Sequence, residues 1–228
     1  EDLPRQIKSK PYLGFFAKYF FSIFLELIEK FASPIFDLIF TATPFITKRF
    51  KSYNINTVNI NNYALKGELE SEQYHNRKNQ VCYVGGVSEI RGINFLVKAC
   101  EYIDGILVLA GAFKSEKTKN EVQRLNGWKN VRYLGHIDRN TMKKVLSESK
   151  AGIVTFLPKP NHINAQPNKI FEYMSASLPI ICSDFPLWKK IVKDNKCGVE
   201  VDPTNPKQIA SAINDFLRQD YNSKMGEN

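Results

Sequence analysis

Cysteine is scarce in this 228-residue sequence, and histidine is scarcer. The four cysteines include no C-x-x-C pair, and the three histidines show no metal-ligand spacing. These absences weigh against a disulfide framework and against a zinc site. The cysteines lie mostly in apolar runs, which predicts buried thiols at Cys82, Cys100, Cys182 and Cys197.

A long uncharged apolar run is also missing. Residues 11–31 are aromatic and helical in pattern, but Lys18, Glu26, Glu29 and Lys30 interrupt them. They therefore lack the roughly 20 apolar residues that cross a bilayer. Two alternatives stay open: a core or interface helix, or a helix that lies in a membrane surface, as its aromatic side chains and nearby lysines favour.

Acidic residues are fewer than basic ones, 23 against 32, and the resulting net charge of +9 indicates an anionic partner. A nucleotide, a nucleic acid and an acidic membrane surface all fit that charge. Basic and aromatic residues do not interleave as in nucleic-acid-binding modules, so nucleic acid is not expected. Since the sequence lacks an initial methionine and a closing element, we expect a fragment that is missing material at both ends.

From Gln80 onward, short apolar runs alternate with helical patterns. The runs are "VCYVGG", "ILVLAG", "NVRYLG", "AGIVTFLP", "LPIICSD" and "CGVEVDP". Near-continuous apolar runs are typical of strands that are buried on both faces, and their spacing suits right-handed βαβ crossovers. The sequence therefore predicts an α/β fold with a doubly wound parallel sheet.

The part before Gln80 has a different pattern. Strands are predicted at 36–42 and 56–60, with helices around them, and we interpret residues 1–61 as the remnant of a second Rossmann-like domain. Residues 62–79 are polar and predict an interdomain linker. The complete domain is predicted over 80–220, followed by a truncated tail at 221–228.

Ligands of an open parallel sheet bind beyond the carboxyl ends of its strands, so three loops are candidates. In the first, Gly85 and Gly86 either let a ligand approach the backbone or simply form a tight turn. Arg91 follows them and can meet a phosphate. The third loop, Gly135 to Ile137 with His136 between, either lines a base pocket or is an ordinary turn.

The second loop leads into a helix that is predicted to have Pro167 in its first turn, where the missing N–H costs nothing. The amides of Asn168 and Lys169 would face an anion at the helix start, and Lys169 adds a full charge. Glu172 either accepts two ribose hydroxyls or is a solvated helix residue. Three apolar residues of this helix are expected to pack on the sheet: Ile170, Phe171 and Met174.

Read together, these stretches resemble the C-terminal domain of family 4 glycosyltransferases with the GT-B fold. The resemblance rests on "CYVGGVSEIRG", "LVLAG", "VRYLGHI", "PNKIFEYMSASLPIICSDFP" and "CGVEVDP", in order over residues 80–220. It extends backwards, because "EDLPRQI" and "FDLIFTATPFI" resemble the end of the family's N-terminal domain. It implies that residues 1–61 belong to an acceptor domain and 80–220 to a nucleotide-sugar donor domain.

The resemblance also assigns roles to residues. Glu172 matches the second glutamate of the family's pair and implies a ribose contact, whereas Asn164 stands at the first. Arg91 and Lys169 match the region that stabilises the leaving diphosphate. Nucleotide-sugar binding is implied for Gly85, Gly86, Arg91, Ile137, Asn164, Asn168, Lys169 and Glu172. Gly86 departs from the family, which usually has a basic residue there.

The implied activity is transfer of a sugar, with retention, from a UDP- or GDP-sugar to a glycan or lipid-linked acceptor. The closest resemblance is to bacterial enzymes of capsule, O-antigen or exopolysaccharide synthesis, which implies a cytoplasmic protein on the inner face of the membrane. Neither a metal nor a cofactor is expected, since the family lacks a D-x-D motif and so does this sequence. Two alternatives remain: a nucleotide-sugar epimerase of the same fold, or a non-catalytic nucleotide-binding or membrane-docking fragment. The fragment alone is expected to be inactive.

Overall fold

The computed structural model describes residues 3–8, 10, 12–65, 67–70 and 77–218. The chain forms two compact units, one of Glu1–Tyr63 with Pro158–Gln166 and one of Ala64–Leu157 with Pro167–Asn228. The predicted tail 221–228 and part of the predicted linker 62–79 lie outside the described residues. The domain boundaries and domain roles drawn from the sequence stay predictions.

The described residues of the first unit form a small parallel sheet and three α-helices. The helices are α1 (Leu3–Lys8), α2 (Phe15–Ala32) and α3 (Pro44–Lys51), and the strands are β1 (Ile39–Thr41) and β2 (Thr57–Asn59). Both predicted strands form, but each is three residues long. The start of the predicted run 36–42 is not a strand, because the Phe36 carbonyl accepts a hydrogen bond from the Asn54 side chain at 2.7 Å.

Helix α2 turns a polar side towards its own unit and an aromatic side outward. Ser22 is buried, and Glu29 forms an ion pair with Arg49 at 2.9 Å. The exposed rings are those of Phe15, Phe16, Tyr19, Phe20, Phe21, Phe24 and Phe31. Within the described residues of this unit, these rings therefore form no core. None of the described helices is long and apolar enough to cross a membrane.

A parallel sheet of six strands lies at the centre of the second unit. Its strands are β3 (Gln80–Val84), β4 (Ile106–Ala110), β5 (Val131–Gly135), β6 (Gly152–Val154), β7 (Ile180–Ser183) and β8 (Gly198–Val201). They lie in the order β5-β4-β3-β6-β7-β8, which confirms the predicted doubly wound α/β fold. The order reverses between β3 and β6, and this reversal opens a crevice at their carboxyl ends.

Six α-helices complete the described part of the second unit. They are α4 (Ile93–Ala99), α5 (Glu116–Gln123), α6 (Arg139–Glu148), α7 (Asn168–Ser175), α8 (Pro186–Asp194) and α9 (Pro206–Arg218). Three of them start where a side chain caps the first turn: Ser115 accepts from the Thr118 amide for α5, Asp138 from the Thr141 amide for α6, and Asn205 from the Gln208 amide for α9.

Burial along the strands follows their position in the sheet. Strands β3, β6 and β7 are buried throughout, and β4 is buried except at Ile106. The expectation of two buried faces is wrong for β5 and β8, where burial alternates or is partial. These two are the edge strands, and helices cover them less completely.

All four cysteines are buried and free, which confirms the prediction of buried thiols. Burial raises the pKa of the thiols of Cys82, Cys100 and Cys182 to about 12, and it also raises the pKa of Cys197.

Candidate nucleotide-sugar site

The loop after β3 brings the backbone against a lysine from α7. Gly85 has a φ of +123°, and a Cβ atom added there would lie 2.0 Å from Nζ of Lys169. Any side chain at this position would therefore displace the ammonium group. Gly85 therefore both makes the turn and leaves room for Lys169, and the approach of a ligand to this loop stays a prediction.

Lys169 is held in a partly apolar setting at the carboxyl end of the sheet. Its ammonium lies 5.3 Å from the centre of the Tyr83 ring and 6.0 Å from that of Phe156. Desolvation and, to a smaller extent, the positive charge of Arg91 lower the pKa of Lys169, and Glu172 acts in the opposite direction; the net pKa is about 8. A bound anion would stabilise the charged form of Lys169 and raise its pKa again.

Arg91 comes to the same place from the turn before α4. Its Nη1 donates to the Gly86 carbonyl at 2.9 Å, and its guanidinium lies 5.3 Å from the centre of the Phe156 ring. Phe156 thus contacts both cations. The sequence analysis did not identify it as a site residue, because it lies in the apolar run of β6 and carries no charge.

The orientation of α7 is fixed by a residue that the sequence analysis also missed. Ile170 is buried as expected, but Phe171 and Met174 are only partly buried, and Tyr173 packs on the sheet in their place. The Tyr173 hydroxyl accepts a hydrogen bond from the Val84 amide at 3.1 Å. Gly152 makes room for the ring, since a Cβ atom there would lie 2.4 Å from it. This contact places Lys169 and Glu172 beside the end of β3.

Glu172 is not a solvated helix residue. Its Oε1 accepts a hydrogen bond from Nη1 of Arg139 at 2.8 Å. Arg139 in turn donates from Nε and Nη2 to the two carboxylate oxygens of Glu68, at 2.7 and 2.9 Å. Sequence reasoning found neither Arg139 nor Glu68. An arginine at a helix start, where the helix dipole disfavours cations, was the one available signal.

Lys169, Glu172 and Arg139 line a cavity of about 410 Å³. Its lining includes six residues that the sequence named as candidates: Gly85, Gly86, His136, Ile137, Lys169 and Glu172. Asp138, Arg139 and Met142 form another part of its wall. The volume falls within the range of small-molecule sites, which is about 300–1,000 Å³.

The other predicted residues lie around this cavity or elsewhere. Arg91 is joined to it through Gly86. Asn168 is exposed at the start of α7, where, among the described side chains, none caps the helix. Asn164 belongs to Pro158–Gln166, the segment that forms part of the first unit. The functional roles of all these residues stay predictions.

The six-stranded unit has the Rossmann-like fold of the GT-B glycosyltransferases. The chain belongs to the family of glycosyl transferases group 1, whose model matches residues 68–228.

Three similar proteins illustrate the relationship. An uncharacterized glycosyltransferase of Methanocaldococcus jannaschii is 25% identical over 142 residues, which cover 60% of this chain and 35% of that protein. HepE from Anabaena, solved in complex with UDP and glucose, has a TM-score of 0.69 at 16% identity, covering 85% of this chain and 57% of that one. Sucrose-phosphate synthase from Thermosynechococcus elongatus has a TM-score of 0.70 at 20% identity, covering 93% and 56%.

The chain therefore spans about a third of the length of the curated relative and little more than half of each of these structures. At such low identity, the structural matches establish the fold alone.

Proposed function

We propose that this chain belongs to a family 4 glycosyltransferase that transfers a sugar from a UDP- or GDP-sugar to a glycan or lipid-linked acceptor. The cavity of the second unit would bind the donor. The observation that carries this proposal is the placement of two cations, Arg91 and Lys169, and one carboxylate, Glu172, at the carboxyl end of one sheet. The UDP bound to HepE supports a nucleotide donor.

Different residues of the cavity would bind two different parts of the donor, its diphosphate and its ribose. Arg91, Lys169 and the first amides of α7 supply positive charge for a diphosphate. Glu172, on the same helix and one turn further on, supplies an acceptor for ribose hydroxyls. Stabilising the departing nucleoside diphosphate is the main catalytic effect that these residues offer.

The finer assignments come from the family resemblance. They are transfer with retention, metal independence, and a role in bacterial capsule, O-antigen or exopolysaccharide synthesis at the cytoplasmic face of the membrane. We propose further that the 228 residues alone bind a nucleotide without measurable sugar transfer. Donor consumption by the longest available form of the protein, with and without a lipid-linked acceptor pool, distinguishes transfer from epimerisation and from binding alone.

Replacing Arg91 by alanine tests the diphosphate assignment. We expect a loss of about 1.5–3 kcal/mol in the binding of UDP or GDP, because a charge-assisted hydrogen bond disappears. The affinity for the corresponding nucleoside should not change, since it carries no phosphate. Titration calorimetry with both ligands measures the two affinities.

Arg124→Ala is the matched control for this experiment. It removes the same charge from the exposed end of α5 and should leave both affinities unchanged. Equal losses for nucleoside and diphosphate in Arg91→Ala would show that Arg91 does not act on the phosphates.

We propose that the aromatic side of α2 docks the protein on an anionic membrane surface. Phe16 is 86% exposed and Phe20 is 65% exposed. Rings at this spacing, with Lys8 and Lys18 nearby, suit a helix that lies in the headgroup region. A lipid-linked acceptor would give such docking a purpose.

Changing Phe16 and Phe20 together to serine is expected to lower the partition coefficient onto phosphatidylglycerol vesicles, measured by co-sedimentation, by about 100-fold or more, because each buried ring contributes about 1.5–3 kcal/mol. Tyr102→Ser, which removes an exposed ring from the second unit, should sediment like the unchanged protein. If the double variant keeps its circular dichroism spectrum and still sediments fully, the aromatic side of α2 does not bind lipid.

A further inference from the structure

Glu68 lies outside the cavity but holds a residue that lines it. Its two carboxylate oxygens accept from Nε and Nη2 of Arg139 at 2.7 and 2.9 Å, a paired geometry that orients the guanidinium plane. The remaining nitrogen, Nη1, donates to Oε1 of Glu172 at 2.8 Å. One arginine therefore connects a carboxylate outside the cavity to a carboxylate that lines it.

The segment that carries Glu68 is itself anchored. Leu69, the next residue, is 1% exposed, and the Glu68 amide donates to the Leu65 carbonyl at 3.2 Å. The hydrogen bond from Arg139 lowers the pKa of Glu68, so the carboxylate is charged at neutral pH. Glu68 is thus a fixed negative group behind Arg139.

The bonding of Glu172 leaves room for a ligand. A carboxylate has about four acceptor sites on its two oxygens, and Arg139 occupies one of them on Oε1. The bond fixes the direction of the carboxylate and leaves acceptor sites for hydroxyl groups. A carboxylate that is already oriented loses less side-chain entropy when a ligand binds.

We infer that Glu68 and Arg139 are positioning residues for ribose recognition, holding the Glu172 carboxylate in the direction that accepts the ribose hydroxyls. The inference rests on the proposed function, since it assumes a nucleotide in the cavity. It assigns a binding role to the segment that follows the first unit, which the sequence had presented as a polar linker.

The test compares Glu68→Gln with Glu70→Gln in the 228-residue chain. Both changes remove one negative charge from the same short segment, but Glu70 is exposed, whereas Glu68 accepts the two hydrogen bonds from Arg139. Titration calorimetry measures the affinity for UDP, for GDP and for the 2′,3′-dideoxy analogue of whichever nucleotide binds. Arg139→Gln is measured alongside, alone and combined with Glu68→Gln, and thermal unfolding of each variant confirms that it folds.

Glu68→Gln is expected to weaken binding of the ribonucleotide about three- to tenfold and to leave the dideoxy analogue unchanged, because a positioning residue acts through the ribose contact. Glu70→Gln should change neither affinity. The double variant Glu68→Gln/Arg139→Gln should bind the ribonucleotide only slightly more weakly than Arg139→Gln alone, because Glu68 acts through Arg139.

Three outcomes overturn the inference: unchanged ribonucleotide affinity in Glu68→Gln, equal losses for both ligands, or tighter binding. Tighter binding would mean that Arg139 competes with the ribose for Glu172. If the unchanged protein binds neither UDP nor GDP, the proposed function itself is wrong and the inference falls with it. The two failures are therefore distinguishable.

Discussion

Replacing Glu172 by alanine is expected to weaken binding of UDP or GDP by roughly 1–3 kcal/mol, because two hydroxyl hydrogen bonds to a charged acceptor are lost. The fold should tolerate the change. Glu172 is at the edge of the cavity, and Arg139 keeps its paired contact with Glu68 at 2.7 and 2.9 Å. The loss therefore reports the ligand contact.

Titration calorimetry at one pH and salt concentration measures this loss. Glu121→Ala is the matched control, since it removes a glutamate from the exposed side of another helix, α5. The loss in Glu172→Ala should disappear when the 2′,3′-dideoxy nucleotide is the ligand. A full loss with that analogue would place Glu172 near the base or the phosphates.

The second large effect is a dependence on pH that comes from Lys169. Its pKa of about 8 in the empty site means that the ammonium is mostly charged at pH 7 and mostly neutral at pH 9. A bound diphosphate raises this pKa, because it places negative charge beside the ammonium. Binding above pH 8 must then take up a proton, so the affinity falls as the pH rises.

Between pH 7 and pH 9 we expect the affinity for the diphosphate to fall about tenfold, the factor by which the charged fraction of such a lysine falls. Lys169→Met should bind about 10- to 100-fold more weakly at pH 7, because it lacks the charge-assisted contact. The affinity of Lys169→Met for the diphosphate should change little between pH 7 and pH 9. Any change that remains in this variant measures the ionisation of the nucleotide base and is subtracted from that of the unchanged protein. Lys190→Met, on the exposed side of α8, should keep the full pH dependence.

A pH profile in Lys169→Met as steep as that of the unchanged protein would assign the titration to another group. Lys169→Arg provides a further check, since an arginine stays charged over this range. It should remove the pH dependence while retaining part of the affinity.

Much of the second unit was predictable from its sequence. Each of the six apolar runs contains one of the six strands. The signal follows from burial on both sheet faces in β3, β6 and β7, whereas the edge strands β5 and β8 are only partly buried. The sequence placed Pro167 in the first turn of α7, whereas the helix begins one residue later, at Asn168, and Pro167 is its extended N-cap residue. Lys169 was singled out by its place at the start of this helix, and Glu172 was assigned to the ribose by the family resemblance.

The remaining site residues depend on distant pairs in the chain. Arg139 lies 71 positions after Glu68 and 33 before Glu172, and no local pattern links them. Tyr173 was missed because helical spacing alone does not distinguish it from Phe171 or Met174. What decides is the Val84 amide, which offers a hydrogen bond to a hydroxyl and none to the other two side chains.

The first unit was harder to predict because the side of α2 that packs on its own unit is polar. An apolar side usually marks the side that packs. Here Ser22 and the Glu29–Arg49 ion pair lie towards the unit, and the rings are exposed. The assignment of Pro158–Gln166 to the same unit was equally out of reach, because that segment follows β6 directly in the sequence.

The burial of all four native thiols has a practical consequence for measuring motion in this protein. With a pKa near 12, Cys82, Cys100 and Cys182 hold almost no thiolate at pH 7, and thiolate is the species that reacts with maleimide. A cysteine introduced at an exposed position such as Glu70 would thus accept a fluorophore selectively, without prior removal of the native residues. Single-molecule fluorescence could then follow the segment after the first unit in a protein whose sheet is left unaltered.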